Sequence, residues 1–227
     1  MRFYYLDPGL NANVGHHADT CRAVTSELRR RGIDTLIAAS VQLIPELNAE
    51  PGATPFFEFF TYTTSDEPIS GWLTTFLEGV TSTSRDLARL PSTTADDVVF
   101  LNSAQPVQLM AIVTWLDSIP ADRRPRIVVA FGTDAGVNIK KMGDAFTFES
   151  VDPREDPRSV LYRYIGQNIP AEFRQHLILT TFDETASKAY AFITGYKTGV
   201  LPPPQQEVSF VDYLLGERHA NATTTKR

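Results

Sequence analysis

The first forty residues restrict the fold more than any other stretch of the sequence. Residues 3–6 are apolar and strand-like, and Asp7-Pro8-Gly9 stops them. A loop rich in Asn and Gly follows, and residues 15–31 then place Ala18, Cys21, Val24 and Leu28 at helical spacing. Gly32 supplies a helix stop, and residues 35–39 form a second apolar run directly after it. Strand, loop, helix, glycine and strand in this order make a βαβ unit, whose crossover is right-handed in nearly all proteins.

The alternation continues along the chain. Residues 56–62 read as a third strand after Pro51-Gly52 and Pro55, and the aromatic run Phe56-Phe57-Glu58-Phe59-Phe60 suits a core strand. Residues 69–90 read as a helix with Trp72, Phe76, Val80 and Leu87 near one stripe. Val98-Val99-Phe100-Leu101 lacks any polar face, as a central parallel strand buried on both sides requires. A helix over 106–117, a strand over 127–131, helices near 159–167 and 170–175, a strand over 177–181 and a helix over 183–196 follow. Residues 138–150 suggest a helical turn and an edge strand at 145–148, and Val200-Leu201 one last short strand. The expected architecture is a doubly wound α/β domain over residues 1–201 with a mostly parallel sheet in the order 3-2-1-4-5. Residues 202–227 read as a Pro-rich linker and a disordered tail.

In that order the loops at 7–14 and 102–105 share one crevice where the winding reverses, the usual ligand site of open α/β sheets. Gly15-His16-His17 opens the helix there, so free N–H groups and the helix dipole favour an anion or polar ligand. Successive helical residues point about 100° apart, so one histidine of the pair should face the crevice. His16 is the candidate base or donor, because imidazole changes charge near neutrality. Asn13, Gly15, His17, Asn102 and Ser103 are the candidate ligand contacts. A capping or surface role is the alternative for either histidine, and turn or N-cap roles are the alternatives for Asp7 and Asp183.

Several chemistries lack their residues. The sequence has no GxxxxGK[ST] loop, HExxH, GxSxG or paired-cysteine motif, so no metal site or cofactor is expected. Strand two ends in Ala38-Ala39-Ser40 without an acid for a ribose, which speaks against a nicotinamide cofactor. A formal charge of −6 argues against a nucleic-acid partner, and Arg29-Arg30-Arg31 suit the last turn of a helix. The lone Cys21 falls on an apolar helical face. With no leader-like start and no apolar run near the roughly 20 residues of a membrane span, a cytoplasmic location is expected.

Gly15-His16-His17, followed by Leu28-Arg29-Arg30-Arg31-Gly32-Ile33 and a strand, resembles the opening of a GT-B glycosyltransferase. Gly199-Val200-Leu201-Pro202-Pro203-Pro204 is similar to the exit from that family's Rossmann-like amino-terminal domain. The resemblance implies the acceptor-side half of an enzyme that transfers sugar from a nucleotide-sugar held by a second domain. It also implies that this chain alone is inactive. Many retaining members carry a His after the fifth strand, whereas this chain reads Phe131-Gly132-Thr133-Asp134. Asp134 is then either a polar substitute in catalysis or a turn residue. The alternative functions are a binding or regulatory module without the donor half, and an unrelated doubly wound enzyme with an anion site at 11–17.

Overall fold

A computed structural model describes residues 1–216 except 66, 68, 133 and 144; the tail expected at 221–227 lies outside the described residues. The chain alternates β1 (Phe3–Asp7), α1 (His16–Arg30), β2 (Thr35–Ser40), α2 (Pro45–Ala49), β3 (Thr54–Phe57), α3 (Ser70–Leu87), β4 (Val98–Leu101) and α4 (Pro106–Ser118). There follow β5 (Arg126–Ala130), β6 (Val137–Met142), β7 (Ala145–Ser150), α5 (Arg158–Asn168), β8 (Leu177–Thr181), α6 (Glu184–Thr194), β9 (Thr198–Val200) and α7 (Glu207–Leu215). The main sheet has the order β3-β2-β1-β4-β5-β8-β9, with every neighbouring pair parallel. This is the doubly wound, Rossmann-like arrangement, and it includes the expected contact of β1 with β4.

Alternating side chains divide the core between the two faces. In β4, Val98 and Phe100 join the layer under α1 and α7, while Val99 and Leu101 join the layer under α3 to α6. The helical stripe of α1 is fully buried at Ala18, Cys21, Val24 and Leu28. Burial pushes the Cys21 thiol up, well away from thiolate formation at neutral pH. No helix among the described residues is long and apolar enough to cross a membrane.

Three segments depart from the sequence reading. The third strand stops at Phe57 instead of Tyr62. The Glu58 N–H turns aside to Asp86 Oδ2 at 2.9 Å, and the Phe59 ring settles where Gly79 of α3 lacks a side chain. Val137–Met142 and Ala145–Ser150 pair as a separate antiparallel hairpin, β6–β7, rather than a helical turn with an edge strand. Its inner face carries Phe148, which stacks on Phe192 of α6 at 5.8 Å between centroids.

The third departure is α7. Residues 202–206 do form a connector, but 207–215 return to the sheet and bury Phe210, Val211 and Leu214 completely. Phe210 packs edge-on to Phe100 at 5.8 Å and parallel to Phe182 at 6.4 Å. Arg31 clasps α7 to α1, bonding Glu27 at 2.6 Å and Asp212 at 2.5 Å, so the basic last turn of α1 is only partly solvated. Phe210→Ala should therefore cost about 3–5 kcal/mol, the usual loss for a buried phenylalanine. Urea unfolding checks this, and a change within about 0.5 kcal/mol, typical of a surface site, would make α7 peripheral.

Candidate functional site

Asp7, the last residue of β1, is fully buried and gathers donors from four directions. The Gly9 N–H reaches its Oδ1 at 3.0 Å and the Asn102 amide reaches its Oδ2 at 2.8 Å. Tyr5 Oη lies 3.4 Å from Oδ2, and His17 Nδ1 lies 2.7 Å from Oδ1. An ionised carboxylate only accepts, so this network assigns the imidazole proton to Nδ1. His17 Nε2 is then left to accept, and the Tyr62 hydroxyl donates to it at 2.7 Å. The result is a line that runs from the buried Asp7 through His17 out to Tyr62 at the surface, built from β1, the first turn of α1 and the loop after β3.

Glycine makes the line possible. A side chain on Gly9 would collide with the His17 ring, so the imidazole folds over bare backbone. A Cβ on Gly132 would come within 2.6 Å of Ser103 Oγ, so the turn after β5 presses on the loop after β4. Ser103 is fully buried with φ at 53°, a left-handed conformation rare for serine. Partial burial and the nearby Asp7 charge raise the Tyr62 pKa.

The inward histidine is His17, 8% exposed, whereas His16 lies exposed at the rim. The two rings are nearer than a 100° divergence suggests, with centroids 4.1 Å apart, and His16 Nε2 also approaches the Tyr62 hydroxyl at 3.4 Å. Partial burial and the neighbouring His17 hold the His16 imidazole below its usual pKa.

The remaining candidates separate. Asn102 joins the Asp7 network and Ser103 next to it is fully buried, while Asn13 is exposed and its carbonyl accepts from Arg22 at 3.2 Å. Gly15, at φ 84°, precedes α1, and its carbonyl accepts from Asp19 N at 3.1 Å. Asp134 makes a turn, accepting from Gly136 N at 2.9 Å, and pairs with Arg158 at 3.1 Å. Asp183 caps α6, accepting from Ala186 N at 2.8 Å.

The chain matches no family model, no curated protein and no solved structure. Beyond Tyr62 opens a cavity of about 460 Å³, with Phe59, Tyr62, Trp72 and Phe76 on one side and Gln105 and Arg158 on the other. Tyr62, Trp72 and Arg158 went unrecognised in the sequence as site residues. The signal for Tyr62 is the change from the apolar Phe-rich run to Thr61-Tyr62-Thr63-Thr64, where strand-like patterning ends.

His17→Ala should destabilise the fold by about 1–3 kcal/mol, because a buried charged acceptor loses a partner. His16→Ala should stay within about 0.5 kcal/mol. Paired urea denaturation curves decide, and the opposite ranking would refute the Asp7–His17–Tyr62 line. For His16 the folded state favours the neutral ring, so its contribution to stability is complete above the unfolded pKa of about 6.5 and falls as pH drops through it. An NMR titration of wild-type protein should show the His16 midpoint below that value.

Proposed function

We propose that the crevice binds a polyhydroxylated, sugar-like acceptor, and that the chain is the acceptor-side domain of a GT-B-type glycosyltransferase. The observation that carries this reading is the Asp7–His17–Tyr62 line, which ends at a cavity of mixed rings and hydroxyls. Ring faces such as Trp72 suit the C–H faces of a sugar, while Thr61, Thr63, Thr64, Ser65 and Thr75 offer exchangeable hydrogen bonds. The volume of about 460 Å³ suits a small ligand.

In this reading His17 replaces His16, the base expected from the sequence, because it is the ring that Asp7 orients, and His16 becomes a ligand contact at the rim. An acceptor hydroxyl would replace the Tyr62 hydroxyl at His17 Nε2 and give up its proton as its oxygen attacks the anomeric carbon. The bond from sugar to phosphate breaks, the nucleotide leaves with that electron pair, and Asp7 stabilises the imidazolium. The donor would sit on a second domain, and a nucleotide-sugar substrate would place the protein in the cytoplasm.

One observation favours a second reading, a binding module without chemistry. His17 Nε2 already has a partner in Tyr62, so the line is satisfied without a substrate. Saturation-transfer NMR with mono- and disaccharides tests what the two readings share. Saccharide contact should be seen and should weaken at least about tenfold in Trp72→Ala, a loss of about 1.4 kcal/mol. Absence of any saccharide contact would overturn both. Joined to a matching donor domain, His17→Ala should lower turnover by about 10²-fold or more if His17 is a base; unchanged turnover would remove that role.

A further inference from the structure

A second cavity, about 350 Å³, lies on the β8–β9 edge at the amino-terminal ends of these strands, away from the crevice. Its wall includes Leu177 at the start of β8, Tyr196 and Lys197 just before β9, Tyr213 of α7 and Arg174 of the turn preceding β8.

The charge here runs against that of the whole chain. The formal net charge is −6, yet among the described residues no carboxylate lines this cavity, while Arg174 and Lys197 both do. Neither cation forms an ion pair among the described residues. The carboxyl end of α6 is nearby, closed by Gly195 at φ 66°. A helix end carries only about half a negative charge, too little to offset two full cations.

Two tyrosines complete the wall. The Arg174 guanidinium lies 5.8 Å from the centre of the Tyr196 ring. The Tyr196 hydroxyl is buried and has no hydrogen-bond partner among the described residues, an unusual state for a polar group in a folded protein. Tyr213 reaches in over Gly199, where a Cβ would collide with its hydroxyl. Two cations, two phenol rings and an apolar strand start thus surround a volume within the range of small-ligand clefts, roughly 300–1,000 Å³.

We propose that this cavity is a ligand site for a phosphate monoester of a ring compound. Two cations match the charge of a phosphate monoester better than that of a carboxylate, with Arg174 offering paired donors and Lys197 a point charge. Tyr196, Tyr213 and Leu177 hold the ring. The site is independent of the crevice and of the function proposed for it.

Calorimetric titration of the purified chain with phenyl phosphate tests the assignment, with inorganic phosphate, benzoate and phenol as comparisons. Phenyl phosphate should bind at least about tenfold tighter than each of the three, the step that 1.4 kcal/mol gives. Arg174→Gln and Lys197→Gln should each weaken it several-fold, and both side chains are exposed, so the fold should survive as judged by circular dichroism. Trp72→Ala, in the crevice, should leave it unchanged. No saturable binding, or equal binding in the two charge variants, would overturn the site. Equal affinity for benzoate would overturn the phosphate assignment, and equal affinity for inorganic phosphate would overturn the ring.

Discussion

A carboxylate buried at the end of the central strand governs the arrangement of everything around the crevice. Removing a charge from water costs several kcal/mol unless hydrogen bonds replace the lost solvent. Asp7 meets that demand with donors from Tyr5, Gly9, His17 and Asn102. These belong to β1, the turn after it, the first turn of α1 and the loop after β4. The network can close only if β1 and β4 are neighbours and α1 begins directly above them. Apolar burial drives the strands together, but the carboxylate specifies which loops meet at the point where the winding reverses.

The same carboxylate decides the orientation of the histidines. Helical phase alone separates His16 from His17 by about 100° and leaves open which one turns inward. The decision rests on Asp7, ten residues earlier, and on Gly9, whose missing side chain makes room for a ring. Sequence periodicity cannot supply a choice made by a tertiary partner. Where periodicity is itself the cause, the sequence is readable. The two-faced apolar strand β4, the stripe of α1 and the run of β8 appear nearly where residue pattern alone puts them.

Illegible parts share a different cause. Tyr62 follows an aromatic run whose pattern continues a strand, but Asp86 draws off the Glu58 N–H and sends the chain toward the crevice. α7 follows three prolines and is short, so local propensity says little; its position depends on burying Phe210, Val211 and Leu214 against the sheet and on the Arg31–Asp212 pair, formed across most of the sequence. In the hairpin, β7 alternates Phe146 and Phe148 with Thr147 and Glu149, but β6 runs Ile139-Lys140-Lys141 with no such alternation, and the inner face is fixed by Phe148 on Phe192 of α6. In each case the deciding partner is remote in sequence.

The charges around the crevice bear on what it can hold. Two helices, α4 and α5, begin at its wall, and each amino-terminal end carries about half a positive charge. Arg158 stands beside them on the wall. It is already engaged by Asp156 at 2.6 Å and Asp134 at 3.1 Å, and Glu155 adds a further negative charge to the wall. The formal sum of these four groups is −2, which outweighs the two helix ends. A diphosphate would therefore be poorly held here, whereas a neutral ring bearing hydroxyls meets no such penalty. The charge around the crevice thus agrees with the neutral, polyhydroxylated ligand proposed for it.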